Sequence, residues 1–397
     1  MIKRGWIGAV AALVCVATLS GCARLGIDDD IFSMGEAAPA SAAAPAQPAA
    51  SQADAAVEAA RPPLGVGLLL PLSGPRADYG RNLLDAAKLA AAEAPTARRI
   101  ALLPEDVAAG PADSAKAAID AGAAALIGPP AATPAEGAVE AAQAAGTPIL
   151  LATSQRRLMA PDVFVAGAAP EAAATRVLDY AFRQGVDTVA ALTPATPEGD
   201  AALRGFGAAA AARGITVVAA GRVPDGANAA AFKASFARLV PAVGEGGAIF
   251  LPFPAQSLPA IATALGTGPG PRFILGAPDW DGALLPTLKA LQNAIFAGPD
   301  PAVTAAFRAR YAAAYGTAPV RDAALIYDLT ALLAVTAEGK DGISSIDIAD
   351  PAGFVGVEGP FRPRGDGVVE RGLAIVGVSD GRLIVLEPAP DRFDPGS

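Results

Sequence analysis

The stretch "LLLPLSGPRADYGRNLLDAAKLA", residues 68–90, decides the fold class. An apolar run stops at Pro71, a short loop with Ser73 and Gly74 follows, and a long alanine-rich segment then has the composition of a helix. A strand that passes through a hydroxyl-bearing loop into a helix is typical of α/β proteins, which offer backbone N–H groups to ligands there. The loop could equally be structural, with Ser73 capping the helix and Tyr79 packing in the core.

The same alternation continues toward the C-terminus. The candidate strands are 66–70, 100–103, 124–127, 148–151, 163–165, 188–192, 215–219, 248–251, 273–275 and 294–297, and the candidate helices are 78–92, 113–121, 134–145, 170–184, 200–212, 229–240 and 256–265. Strands that alternate with helices predict parallel, doubly wound sheets, and the run is too long for one sheet. We therefore predict an α/β protein of two lobes with a cleft between them.

Each predicted lobe is built from two separate parts of the chain. The first lobe takes residues 62–184 and 316–345, and the second takes 185–315 and 346–392. The chain is then expected to pass between the lobes three times.

Residues 1–21 have the composition of an export signal. Basic residues precede an apolar run, 7–19, that is too short to span a bilayer comfortably. The sequence LSGC at 19–22 resembles a bacterial lipobox, which implies cleavage before Cys22 and acylation of that cysteine. The alternative is an ordinary signal with a chance cysteine. Two or three acyl chains would anchor the protein stably on a membrane.

Residues 22–61 are rich in alanine, proline, serine and glutamine, with little apolar surface to bury. This composition predicts a disordered tether. A coil of this length has a root-mean-square reach of roughly 35 Å.

The composition excludes several kinds of chemistry. The chain has no histidine, which rules out histidine-based catalytic triads and zinc sites that need histidine. Cys15 lies inside the signal, so the processed chain could form no internal disulfide. No phosphate-binding glycine loop and no carboxylates with metal-ligand spacing occur, so we expect no cofactor and no metal.

The net charge of the chain indicates which kinds of partner it can bind. The formal charge is −9, and removal of the signal with Lys3 and Arg4 leaves 28 of the 30 basic residues against 39 acidic ones, a charge of −11. Such a surface repels phosphate backbones, so nucleic acid is not an expected partner.

The segment "LAIVGVSDGRLIVLE", residues 373–387, contains the pattern Gly-x-Ser-x-Gly. In a serine hydrolase that pattern needs a strand–turn–helix context and a histidine base. Here two alternating strands flank a turn at 379–381, which predicts a hairpin. We therefore expect a protein that is not an enzyme.

Three segments resemble type I periplasmic binding proteins of the leucine/isoleucine/valine-binding class. They are the opening stretch, "ALIGPPAATPAEGAVEAAQAAGTPILLATS" at 125–154, and "PAVTAAFRARYAAAYGTAPVRDAALIYDLTALLA" at 301–334. The resemblance covers roughly residues 64–386 and implies the two-lobe fold. The third segment matches the crossover helices of that family and is the most specific of the three.

The resemblance also implies where a ligand would bind. In amino-acid-binding members, hydroxyls just after the Gly-Pro step hold the carboxylate, and an acid in the second lobe meets the ammonium group. Pro130 and Ala131 occupy that step here and offer no hydroxyl. The candidate cleft residues that remain are Ser73, Tyr79, Thr133, Thr153, Ser154, Glu198 and Asp279.

Two functions from different classes follow. The opening stretch and the lipid anchor resemble the penicillin-binding-protein activators, outer-membrane lipoproteins that regulate peptidoglycan synthases, and Ala23 permits sorting to the outer membrane. The partner would then be a class A penicillin-binding protein. The alternative is a substrate-binding protein for an ABC permease, with a branched-chain amino acid or amide as ligand. The sequence favours the activator, anchored on the periplasmic face of the outer membrane, or on the cell membrane of a single-membrane host.

The lipid anchor is tested by Cys22→Ser. We expect the variant to lose acylation and to move into the soluble fraction, because no other cysteine would remain outside the signal. Fractionation and labelling with a fatty-acid analogue measure this. A variant that is processed normally and still partitions with membranes would contradict the lipobox assignment.

Overall fold

A computed structural model describes residues 57–96, 99–131, 133–282, 284–390 and 393. The predicted signal, Cys22 and most of the tether lie outside these residues. The described residues fall in one compact unit. None of the helices they form has the length and apolar character that a membrane crossing needs.

The first lobe is built on a five-stranded parallel sheet in the order β2-β1-β3-β4-β5. Its strands are β1 (Leu64–Leu70), β2 (Ile100–Asp106), β3 (Ala123–Pro130), β4 (Ile149–Ala152) and β5 (Val163–Val165). Its first three helices are α1 (Ala77–Glu93), α2 (Pro111–Asp120) and α3 (Glu136–Ala145). The interior strand β1 lies between β2 and β3 and is buried along almost its whole length, which explains its continuous apolar run.

The second lobe is built on a seven-stranded sheet in the order β15-β14-β10-β9-β8-β6-β7. Its strands are β6 (Thr188–Pro194), β7 (Thr216–Val223), β8 (Ala248–Phe250), β9 (Phe273–Gly276), β10 (Ala294–Gly298), β14 (Ala374–Ser379) and β15 (Arg382–Glu387). Its helices are α4 (Pro170–Arg183), α5 (Pro197–Arg213), α6 (Ala229–Val243) and α7 (Leu258–Leu265). The first five strands are parallel, and β14 and β15 add an antiparallel hairpin at one edge.

The remaining elements return to the first lobe. They are α8 (Pro301–Tyr315), α9 (Ala323–Thr336), α10 (Ser345–Ile348) and a three-stranded antiparallel sheet of β11 (Phe354–Gly356), β12 (Gly359–Pro363) and β13 (Val369–Arg371). All ten candidate strands and all seven candidate helices of the sequence analysis are present, and the two-lobe α/β fold is confirmed. The small sheet was not predicted.

The chain changes lobe at positions other than those expected. Helix α4 packs in the second core through Val177 and Leu178, although it was assigned to the first lobe. Helix α8 packs in the first core through Phe307 and Tyr311, although it was assigned to the second. The crossings therefore lie at 166–169, 299–300 and 372–373, and each sits 15 residues or more from its expected place. The reason is that each helix joins the lobe whose sheet its apolar face packs against. The order of the elements along the chain does not determine this.

Small residues in the opening stretch allow close packing between the loop and helix α1. A Cβ atom on Gly80 would lie 1.9 Å from the carbonyl oxygen of Pro71. Only glycine therefore lets α1 start directly beneath the loop that ends β1.

Gly80→Ala should destabilise the protein by about 1–3 kcal/mol, because the added methyl group meets backbone atoms that cannot move aside. The loss should exceed the gain of about 1 kcal/mol from better helix propensity. Urea unfolding measures it. The matched control is Gly207→Ala in α5, where a Cβ meets nothing within 4 Å and stability should rise by roughly 0.5–1 kcal/mol. Equal effects at the two positions would refute the packing argument.

Candidate functional site

The candidate site is the cleft between the lobes, a cavity of about 550 Å³. It lies at the carboxyl ends of β4, β6, β8 and β9, where open α/β sheets bind ligands. Four residues expected from the sequence line it together: Thr153, Ser154, Glu198 and Asp279. They follow three strands, β4, β6 and β9, and ligand contact by these residues stays a prediction.

Thr153 and Ser154 follow β4 and form part of the first lobe's wall. Thr153 is buried, and its hydroxyl accepts a hydrogen bond from the Gln155 N–H at 3.3 Å. The Gly167 N–H donates to the Thr153 carbonyl oxygen at 2.8 Å, and a Cβ on Gly167 would meet the Thr153 backbone at 2.6 Å. The backbone of the first crossing, residues 166–169, therefore packs directly against this wall. Ser154 is half-buried and lines the cavity.

Two arginines of the first lobe face the cleft and share one carboxylate. Glu358 contacts Arg321 Nη1 through Oε1 at 2.9 Å and Arg371 Nη1 through Oε2 at 3.1 Å. Arg371 also donates from Nε to the carbonyl oxygen of Ala166, at 3.1 Å, on the first crossing. Its Nη2 is buried and has no hydrogen-bond partner among the described residues. This guanidinium therefore retains a donor for an anionic group.

Behind these arginines lies Asp328, a fully buried carboxyl on α9. Its Oδ1 accepts the Val357 N–H at 2.7 Å, which positions the turn that carries Glu358. Arg371 Nη1 is 3.7 Å from Oδ2. Burial raises the pKa of Asp328 to about 7, even though the Arg371 charge acts in the opposite direction.

The second lobe contributes an acidic wall. Asp279 follows β9, and its Oδ2 accepts the Ala255 N–H at 3.0 Å. Burial raises the pKa of this carboxyl, with the Ala255 hydrogen bond and the Arg321 charge opposing the shift. Glu198 lies exposed in the first turn of α5, and Asp225 lies exposed after β7. All three carboxylates line the cleft.

One ion cluster ties the lobes together beside the cleft. Asp281 belongs to the second lobe, and its side chain is only 3% exposed. Its Oδ2 lies 3.1 Å from Arg308 Nη2 and 3.4 Å from Arg321 Nη1, both on the first lobe. Because Arg321 also lines the cleft, the interlobe contact and the cavity wall share one guanidinium.

Three expected residues do not line the cavity. Ser73 is exposed, makes no helix-capping hydrogen bond, and instead hydrogen-bonds Asp106, which lowers the pKa of that carboxyl. Thr133 is half-buried and lies outside the lining. Tyr79 donates its hydroxyl to Asp322 Oδ2 at 2.5 Å, and Asp322 does line the cavity. Burial and the Asp322 charge raise the pKa of Tyr79. Tyr79 thus supports a cleft residue from behind.

The charged residues of the first lobe's wall were not predicted from the sequence. Arg321 and Asp322 stand in the quoted segment 301–334, directly before α9. A charged pair at the start of an apolar helix was the available signal. Arg371 and Glu358 lie in the small sheet that was not predicted, and no local pattern distinguishes them from surface charges.

Other features carry less chemistry. A larger cavity of about 800 Å³ lies around 168–169 and 372–373 and shares Arg371 with the cleft; its other arginines form ion pairs, such as Arg176 with Glu387 and Arg364 with Glu370. Trp280 is fully buried and donates to the Phe253 carbonyl oxygen at 2.7 Å, so it packs in the core. Within the described residues, no three cysteine, aspartate or glutamate side chains come together in a metal-binding arrangement.

The Gly-x-Ser-x-Gly pattern has the context predicted for it. Ser379 ends β14, Asp380 and Gly381 both have positive φ, and β15 returns antiparallel. This is a hairpin turn and not a strand–turn–helix nucleophile elbow.

Comparisons with known proteins agree on the architecture. A family model described as "Periplasmic binding protein" matches residues 63–382. No curated protein was found to match the chain.

Solved structures share the fold at low sequence identity. A putative branched-chain amino acid ABC transporter protein from Rhodospirillum rubrum has 21% identity, covers 82% of this chain and 100% of its own, and gives a TM-score of 0.69. A substrate-binding protein from Desulfitobacterium hafniense in complex with Leu has 21% identity, coverage of 81% and 99%, and a TM-score of 0.63. A solute binding protein from Rhodopseudomonas palustris BisB5 in complex with 3,4-dihydroxy benzoic acid has 23% identity, coverage of 84% and 97%, and a TM-score of 0.62.

The Asp328 carboxyl predicts a pH dependence of stability. Its pKa is about 7 in the folded protein and lower in the unfolded chain, so the folded state binds the proton more tightly. This group therefore lowers stability as the pH rises from about 4 to about 7, by up to roughly 1.4 kcal/mol per pH unit. Asp328→Asn, which keeps an acceptor for Val357, should abolish that contribution.

Urea unfolding at pH 5, 6, 7 and 8 measures the effect. The stability of the native protein relative to the variant should fall from pH 5 to about pH 7 and level off by pH 8. Asp187→Asn, at an exposed position, is the control and should show no such trend. Parallel curves for native protein and Asp328→Asn would refute the assignment.

Proposed function

The chain belongs to the periplasmic binding protein family, and on this premise we propose that it is the substrate-binding protein of an ABC transporter. Its ligand is a small polar solute held in the interlobe cleft. The observation that carries the proposal is that charged side chains of both lobes face one cavity of about 550 Å³. A cavity of this size suits a small molecule.

The walls offer complementary partners for an amino-acid-like solute. On the first lobe, the free Nη2 of Arg371 can donate to a carboxylate, and Thr153 and Ser154 supply hydroxyls. On the second lobe, Asp279 can accept from an ammonium group. Charge-assisted hydrogen bonds of this kind contribute about 1.5–3 kcal/mol each. No bond is broken or formed, so the proposed role is binding without catalysis.

Family membership supports a periplasmic location. We also propose the lipid anchor at Cys22, which rests on the sequence alone because that residue lies outside the described part of the chain. In a host with two membranes, Ala23 would permit sorting to the outer membrane.

Regulation of a peptidoglycan synthase, which the sequence favoured, is the second candidate. The three structures named above are all described as transport or solute-binding proteins, which supports the transport alternative better. One observation favours the regulator: Ala131 lines the cleft just after the Gly-Pro step and brings no hydroxyl for a carboxylate. A pull-down with the host's class A penicillin-binding proteins tests this candidate, and recovery of none of them would remove it.

A thermal-shift screen with small polar solutes tests the transport proposal. We expect at least one solute to stabilise the protein, by about 2.7 kcal/mol at a concentration of 100 Kd. Ser154→Trp should abolish the shift, because the indole fills the cleft. Ser73→Trp is the matched control, since Ser73 lies outside the lining, and it should leave the shift unchanged. A shift that survives Ser154→Trp would place the ligand elsewhere and contradict the proposal.

Branched-chain amino acids should be poor ligands. Pro130 and Ala131 replace the expected hydroxyls, so leucine, isoleucine and valine should bind with Kd above about 1 mM, a binding free energy no larger than about 4 kcal/mol in magnitude. Calorimetry measures this. Micromolar binding of any of the three would show that other groups hold the carboxylate fully.

A further inference from the structure

We propose that the solute carries a net positive charge, with two cationic groups and one carboxylate, which is the chemistry of basic amino acids. The inference rests on the proposed function and narrows its ligand class. It is drawn from the unequal charges of the two cleft walls.

The second lobe's wall has three carboxylates and no cation. Glu198, Asp225 and Asp279 all line the cleft. Within the part of the chain that the structure describes, none of the three forms an ion pair with an arginine or lysine. Asp279 is the least exposed of them, and its Oδ2 accepts the Ala255 backbone N–H. Glu198 and Asp225 are exposed at the rim.

The first lobe's wall is balanced within itself. Arg321 and Arg371 share Glu358, and Asp322 accepts the Tyr79 hydroxyl. Two positive and two negative charges therefore cancel on this side. The cleft as a whole retains the three negative charges of the second lobe.

A neutral zwitterion would leave most of this charge uncompensated. Its carboxylate could meet Arg371 Nη2, an atom with no hydrogen-bond partner among the described residues on a side chain that is 7% exposed, and its ammonium group could meet Asp279. Glu198 and Asp225 would then face the occupied cleft without a counter-charge. A second cationic group resolves this, because carboxylates that lose water on ligand binding need a partner.

Two pairs of ligands isolate the second cation. Lysine and norleucine differ in the terminal ammonium group, and arginine and citrulline differ in the charge of the end group. Calorimetry should show the cationic member binding at least tenfold more tightly in one pair or both. Cadaverine, which is lysine without the carboxylate, should bind more weakly than lysine if Arg371 receives that carboxylate.

Variants of the second lobe's carboxylates show which of them contribute to binding of the cationic ligand. Asp279→Asn keeps an acceptor for the Ala255 N–H and should weaken binding of the preferred cation at least tenfold. The double variant Glu198→Gln/Asp225→Asn should weaken it several-fold and reduce its dependence on salt, since these charges lie at the rim. Asp187→Asn makes the same charge change directly before β6, at the end of the strand away from the cleft, and should leave binding unchanged.

Failure of the charge inference and failure of the transport proposal give different results. If neutral members bind as tightly as cationic ones, or if leucine or an aromatic acid binds while the cations do not, the charge inference is overturned and the transport proposal stands. If no small polar solute binds, the transport proposal fails and the inference fails with it.

Discussion

The carboxylate of Glu358, held between Arg321 and Arg371, is the interaction on which the candidate site depends. Arg371 reaches the first crossing through Ala166, and Arg321 reaches the second lobe through Asp281. Arg371 and Glu358 are nearly buried, so removing either of them leaves a charge without its partner, which costs more than the pair itself contributes. The wall of the cleft and the contact between the lobes are therefore parts of one electrostatic unit.

Asp328 extends this unit into the core. It holds the turn before Glu358 through a backbone N–H, and its raised pKa reflects how little solvent reaches it. In a chain without histidine, this carboxyl supplies a group whose pKa lies near neutral pH, next to the arginines that line the cleft.

The sequence predicted the fold well, because strand and helix positions follow from local patterns. The run 68–70 and its helix could be predicted from apolar periodicity, and so could the polar residues that end β4 and β9. The lobe crossings could not, because α4 and α8 are amphipathic in either lobe and only tertiary packing decides which sheet they cover. Arg371 could not be predicted either, since a long side chain from an unpredicted sheet reaches a cleft formed by distant segments.

Ser73 failed as a cleft residue for a related reason. The first loop does end a buried strand, but Asp106 of the neighbouring strand takes its hydroxyl. The end of a strand predicts where a polar side chain lies. Neighbouring polar groups that can hydrogen-bond it determine whether it is available to a ligand. The relatives make the same point, because proteins of this fold at 21% and 23% identity hold Leu and 3,4-dihydroxy benzoic acid.

The three crossings also determine the order in which the molecule can form. The first lobe needs residues from β1 through β13, and the second sheet is completed only by β14 and β15. Neither core is complete until almost the whole chain has left the ribosome, and pairings between such distant segments form slowly. A nascent chain of this design completes its folding late, which suits a protein that is threaded through a membrane before it folds.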